Sequence, residues 1–126
     1  MAGLATARPI VVVCTRDRTR AVTFYRDTLG LTQTSDDRLA AVFDVGGTAM
    51  HVSTVADFTP HEHTILGFKV ADVETAVIGL RDRGVDFSRY AGVDQDQLGI
   101  LIVPGTAVRV AWFKDPDGNV LSVTNA

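Results

Sequence analysis

An internal repeat constrains this chain more than any other feature of its sequence. Sliding it by 55 residues sets Asp17-Arg-Thr-Arg-Ala-Val-Thr-Phe-Tyr-Arg-Asp27 against Asp72-Val-Glu-Thr-Ala-Val-Ile-Gly-Leu-Arg-Asp82. Five of the eleven positions are identical, namely Asp17/Asp72, Ala21/Ala76, Val22/Val77, Arg26/Arg81 and Asp27/Asp82. Unrelated segments agree at about one position in twenty, so a duplicated structural unit explains the match better than chance. Each segment follows an apolar run (9–15 and 65–71) and precedes a glycine with a further apolar stretch, Gly30-Leu31 and Gly84-Val85. Within the segments, Ala21, Phe24, Tyr25 and Thr28 or Leu29, and again Val73, Ala76, Val77 and Leu80, recur at helical spacing. Asp17 and Asp72 stand just ahead of these stripes. A short carboxylate there accepts from unpaired helix amides and meets the positive end of the helix dipole, so both read as N-caps.

The remainder of each half reads as strands: 39–45 and 48–55 in the first, 108–114 and 120–124 in the second. Gly46-Gly47 and Asp117-Gly118-Asn119 supply the hairpin turns between them. Each half is therefore β-α-β-β-β, and the chain is expected to be α+β. The expected organisation is a single domain over residues 1–126, with modules at about 8–55 and 65–126 and a linker at about 56–64. Residues 92–105 are the least regular stretch and read as a candidate lid.

At 126 residues the chain holds one domain or two closely packed half-units. Its 46% hydrophobic and 21% charged residues are enough for a core and far from the composition of disordered chains. A net charge of -3 offers no basic field to a phosphate backbone or an anionic bilayer, which points away from nucleic acid and membrane partners and toward a small molecule. One cysteine, Cys14, excludes an intramolecular disulfide, and no Cys/His spacing fits structural zinc. The apolar run at 10–14 is too short to span a membrane and lacks a cleavage pattern, so the expected location is cytoplasmic.

Two further motifs sharpen the reading. Phe24-Tyr25-Arg-Asp-Thr-Leu29-Gly30-Leu31 closes the first helix, and Trp112-Phe113-Lys-Asp115-Pro116-Asp117-Gly118-Asn119 spans the last turn. With the tandem repeat, they resemble the vicinal oxygen chelate superfamily, the glyoxalase, bleomycin-resistance and extradiol-dioxygenase group. The resemblance implies curved sheets around a ligand cup, helices outside, and a homodimer. In metal-using members it implies a divalent ion held by a histidine early in a module's first strand and a carboxylate in its last, acting as a Lewis acid on adjacent substrate oxygens. Carried onto this sequence, those positions fall on Ile10, His51, Ile65 and Ser122, and only His51 can ligate such an ion. No metal or other cofactor is expected at that site. An alternative is one divalent ion at an offset site of His51 and His63, since His63 lies two residues before Ile65 and an extended strand puts both on one face. Glu62 or His61 would add a third donor.

Counting by twos places Ile10, Val12 and Cys14 on the cup face of the first strand and Ile65, Gly67 and Lys69 on that of the fifth. Ala49, His51 and Ser53 share a face, as do Val120, Ser122 and Thr124. Trp112 and Phe113 alternate, so one of them enters the cup. The expected ligand-binding set is Ile10, Val12, Cys14, His51, Ile65, Lys69, Arg109, Trp112 and Ser122. Lys69 and Arg109 read either as partners for a ligand anion or as solvated strand residues. Cys14 reads as a small core hydrophobe or as a nucleophile activated by His51. The function these residues suggest is a small-molecule binding protein with an incomplete metal site, holding an apolar or aromatic ligand in a sequestration or resistance-like role. The competing readings are a metal-dependent lyase, transferase or dioxygenase using His51/His63, and a regulatory or assembly protein with a vestigial cup.

Overall fold

Asp17 and Asp72 cap the two helices as expected. In the computed structural model, which describes residues 3–126, the Asp17 carboxylate accepts from the Arg20 amide at 3.2 Å. The Asp72 carboxylate accepts from the Thr75 amide at 3.1 Å and the Thr75 hydroxyl at 2.9 Å. These caps start α1 (Arg18–Thr23) and α2 (Val73–Asp82). Around them the chain runs β1 (Ile10–Thr15), α1, β2 (Thr32–Asp36), β3 (Ala41–Val45), β4 (Thr48–Thr54), then β5 (Thr64–Lys69), α2, β6 (Leu101–Ile102), β7 (Arg109–Lys114) and β8 (Val120–Thr124).

The chain divides into two compact units, Met1–Phe58 and Thr59–Ala126. The first holds a sheet of order β1-β4-β3-β2 and the second a sheet of order β5-β8-β7-β6, so the repeat seen in sequence is a repeat of topology. In each, the first strand pairs in parallel with the last and the other pairs are antiparallel. The α+β fold of two βαβββ modules is thereby confirmed.

Register shows how deep the duplication goes. The helix-side positions Ala41, Phe43 and Val52 of the first unit correspond to Ala111, Phe113 and Val123 of the second, and all six are buried. The helices repeat the pattern: Ala21 and Val22 lie beneath the first sheet, and Val73 and Val77 are buried in the second unit. A fully buried phenylalanine is worth about 1.5–3 kcal/mol, so Phe43 and Phe113 are major anchors of their units. Phe43 meets Tyr25 at 6.1 Å between ring centroids, and Phe113 meets Phe87 at 5.4 Å.

Two local features depart from the simple pattern. After Thr23 the first helix widens into a π-helical turn, Phe24–Thr28, closed by the Leu29 amide donating to the Phe24 carbonyl at 2.9 Å. The wider turn adds a residue to the helical repeat, which buries Tyr25 completely and leaves Phe24, Thr28 and Leu29 only half-buried. In the second unit, the strand expected directly after Gly84-Val85 is reduced to one bridge, Phe87 to Phe113, and β6 forms only at residues 101–102. The intervening stretch is fastened rather than loose. The Gln95 side-chain amide donates to the Ser88 and Gly99 carbonyls at 2.9 and 2.8 Å, and its oxygen accepts from the Tyr90 amide at 2.8 Å. Arg89 donates to the Asp96 and Gln97 carbonyls at 2.7 and 2.8 Å.

The β7–β8 hairpin is built on a buried carboxylate. One oxygen of Asp115 accepts from the Asp117 and Asn119 amides, both at 2.9 Å, and the other from the Asn119 side-chain amide at 2.8 Å. Gly118 closes the turn at φ +93°, a conformation that glycine adopts without a Cβ penalty. Replacing Asp115 by alanine strands three donors in a buried place, and the expected loss is about 3 kcal/mol of unfolding free energy, measured by urea denaturation. Gly118→Ala is expected to cost less, about 1–2 kcal/mol, because only backbone strain is added.

Candidate functional site

Each sheet has one face against its helix and one open face, and the predicted ligand residues sort between them by register. In the first unit Val12 lies opposite His51, and His51 opposite Val42, so these three form one row across β1, β4 and β3. Cys14 pairs with Ser53 and Ile10 with Ala49 on the same face. Ile10 and Val12 are 53% and 55% exposed, while Val13 and Thr15, which alternate with them, are buried. The first-strand assignment therefore has the parity expected. Cys14 is half-buried.

At the end of this face, Asp37 follows β2. Its carboxylate accepts from the Leu39 and Ala40 amides at 2.8 and 3.1 Å. Those two bonds, with smaller contributions from the charges of Arg18 and His51, hold the Asp37 carboxyl below the usual carboxylate range. Its neighbour Asp36 forms an ion pair with Arg18 at the start of α1.

In the second unit the row equivalent to Val12, His51 and Val42 is Gly67, Ser122 and Trp112. Trp112 shares with Ser122 the face turned away from the helix, where Ser122 is itself buried at 5% exposure, and Phe113 is the one that packs against the helix side. Gly67 is needed here for space: a Cβ on it would stand 3.1 Å from the Ser122 hydroxyl oxygen, tighter than side chains ordinarily approach. Lys69 lies one row further along, paired with Thr124. Arg109 alternates to the other face of β7, with Ala111 and Phe113; the Asp72 carboxyl at the start of α2 is held below its ordinary range by its hydrogen bonds from Thr75, with Arg109 the least of the contributions. It does not stand beside Trp112.

Ile65 falls on a β-bulge. Thr64 pairs with Val120 and Leu66 with Leu121, leaving Ile65 between them, so counting by twos from Ile65 breaks down at that point. Thr64 is the residue that pairs with Val120, as Ile10 pairs with Ala49 in the first unit. The bulge also interrupts the alternation that was to carry His63 onto the open face. The His63 ring instead stacks on His61, with centroids 4.8 Å apart, and both residues are exposed.

At the strand positions where the metal-using pattern places ligands, the first unit has Ile10 and His51 and the second has Thr64 and Ser122, and of these residues only His51 is a usual ligand for a divalent ion. Among the described residues, no three His, Cys, Asp or Glu side chains converge as a metal ion requires. These residues do not fit the metal of the metal-using members.

A cleft of about 580 Å³ opens beside the Trp112 row, lined by Pro60, His61, Glu62, Tyr90, Lys114 and Val120. Lys114 and Val120 face each other across β7 and β8 in the row next to Trp112 and Ser122. The Tyr90 ring stands edge-on to Trp112, with centroids 5.5 Å apart and planes at 83°. Pro60 lies over the β7–β8 turn, its Cγ 3.4 Å from where a Cβ on Gly118 would be. The segment read from sequence as a linker, with His61 and Glu62 as possible metal donors, thus lines a cleft. Composition alone carried no signal for that wall or for Tyr90.

Comparison with known proteins agrees with this architecture. Residues 9–123 match the Glyoxalase/Bleomycin resistance protein/Dioxygenase superfamily, and the chain belongs to that superfamily. Its fold is similar to that of a member of the same superfamily from Sphaerobacter thermophilus (21% identity, 96% of this chain and 98% of that one, TM-score 0.74). It is similar also to a glyoxalase/bleomycin resistance protein/dioxygenase from Alicyclobacillus acidocaldarius (16% identity, 94% and 90%, TM-score 0.69). A glyoxalase family protein from Enterococcus faecalis is a third (15% identity, 93% and 94%, TM-score 0.69). No curated protein matched the chain. No helix among the described residues is long and apolar enough to cross a membrane.

The Asp37 turn yields a pH prediction. Its folded-state pKa is depressed, so its contribution to stability is complete above the ordinary carboxylate range and is lost as pH falls through the lower folded value. Carboxyl carbon NMR should report a midpoint below that of an unfolded aspartate. The Leu39 and Ala40 amides should lose hydrogen-exchange protection over the same acid range, and Asp37→Asn should abolish that pH dependence.

Proposed function

We propose that this superfamily member is a metal-independent binding protein for a small, planar, apolar or aromatic molecule, held against Trp112 on the open face of the second sheet. The observation that carries the reading is the row Gly67, Ser122 and Trp112. It offers a half-buried indole beside a small, buried hydroxyl seated against Gly67, where the metal-using pattern needs a carboxylate. Sequestration needs shape and affinity alone, without a group poised for a transition state. Apolar residues at Ile10 and Val12, with Ser122 in place of a carboxylate, are compatible with it. The enzymatic alternative rests on an offset His51/His63 pair reached by unbroken alternation into β5, and the bulge at Ile65 supports the binding reading over it.

Trp112 is the chain's one tryptophan, so its fluorescence reports on this site without labelling. Titration with the neutral aromatic probe 1-naphthol, followed by calorimetry, should give saturable binding that is unchanged in EDTA. Trp112→Ala should weaken it about 10-fold, the scale of one lost stacking contact, and Trp112→Phe should retain most of it. Binding abolished by EDTA, or unaltered in Trp112→Ala, would sink the proposal.

A further inference from the structure

The cleft beside Trp112 holds two opposite charges that do not meet. Lys114 extends from β7 in register with Val120, and Glu62 comes from the segment leading into β5. Neither forms an ion pair among the described residues. Surface charges so arranged are commonly just solvated, but these two line a concavity with an aromatic corner at its side. That corner is held in place. The Tyr90 amide donates to Gln95, the Ser88 amide donates to the Trp112 carbonyl at 2.7 Å, and the two rings meet edge to face. The same cleft is lined by His61, whose ring stacks on His63, and by Pro60, which lies over Gly118. Lys114 and Glu62 are thus two exposed side chains lining the same cleft.

We propose that this cleft binds a small aromatic zwitterion, with its carboxylate at Lys114, its ammonium at Glu62 and its ring against Tyr90, at the corner where that ring meets Trp112. The inference rests on the proposed aromatic binding at Trp112 and adds the ligand's charge pattern. A simple anion would satisfy Lys114 while meeting the Glu62 carboxylate in the same cleft, and a simple cation would do the reverse. A ligand with both charges satisfies both walls, and each wall repels the ligand that lacks its partner. The volume of about 580 Å³ falls in the range of small-molecule sites and suits one ring with a short charged arm.

The test is calorimetric titration of the whole chain with L-phenylalanine, 3-phenylpropanoate and phenethylamine, which share the ring and differ in charge. L-phenylalanine is expected to bind at least about 10-fold more tightly than either singly charged compound. Lys114→Gln should remove its advantage over phenethylamine, Lys114→Arg should restore it, and Glu62→Gln should remove its advantage over 3-phenylpropanoate. Lys114 and Glu62 are both exposed, and circular dichroism will confirm that the variants fold. Equal affinity for the three compounds, or a preference that survives both glutamine variants, overturns the inference. Binding of 1-naphthol to the same variants judges the aromatic site separately: if it persists while the charge preference fails, only the zwitterion is lost.

Discussion

The parallel pairing of the first strand of each unit with its last is the constraint on which the rest depends. It joins residues far apart in sequence, Val12 to His51 and Gly67 to Ser122, and so assembles both open-face rows described above. A parallel pair needs a crossover, and the Asp-capped helices supply it, lying over one face and leaving the other open. Side chains alternate along each strand, so one register decides at once which residues are core and which can meet a ligand. The hairpin turns serve the same end. The Asp115 carboxylate fixes where β7 hands over to β8, and hence that Trp112 rather than Phe113 stands beside Ser122.

Much of this was legible in the sequence because it depends on local chemistry or on period-two counting within an unbroken strand. The helix caps, the glycine turns, the duplicated unit and the faces of β1, β4 and β8 all belong to that class. The superfamily assignment rested on motifs that proved to lie where the fold needs them. Three things were not legible. The bulge at Ile65 is set by how β5 settles against β8, and a bulge has no marker in a run such as Thr-Ile-Leu-Gly. The π turn after Thr23 has none either. The fastening of residues 88–100 depends on one glutamine reaching three backbone groups spread over twelve residues, and glutamine is among the least informative residues for such predictions.

The candidate site illustrates the same division. Ile10, Val12, Cys14, His51 and Ser122 lie where alternation puts them, whereas Ile65 is displaced by the bulge and Arg109 lies on the far face of β7. Trp112 and Phe113 could not be told apart until the register of β7 against β8 was known. Tyr90 comes from irregular backbone, where no periodicity exists to read, and the 60–62 segment was read as linker or as a source of metal donors rather than as part of a cleft.

Matching the two units position by position shows the difference in tolerance between their two sides. Toward the helices, Ala41, Phe43 and Val52 have the same identities as Ala111, Phe113 and Val123; on the open side, Val42, His51, Val12 and Asp44 stand where the second unit has Trp112, Ser122, Gly67 and Lys114. The two units thus share these three buried identities, differ at Met50 and Leu121 only in the kind of apolar side chain, and differ in chemistry at all four positions on the other side. A scaffold in which each strand carries support on one side and recognition on the other can acquire a new ligand by substitution alone, without renegotiating how it folds.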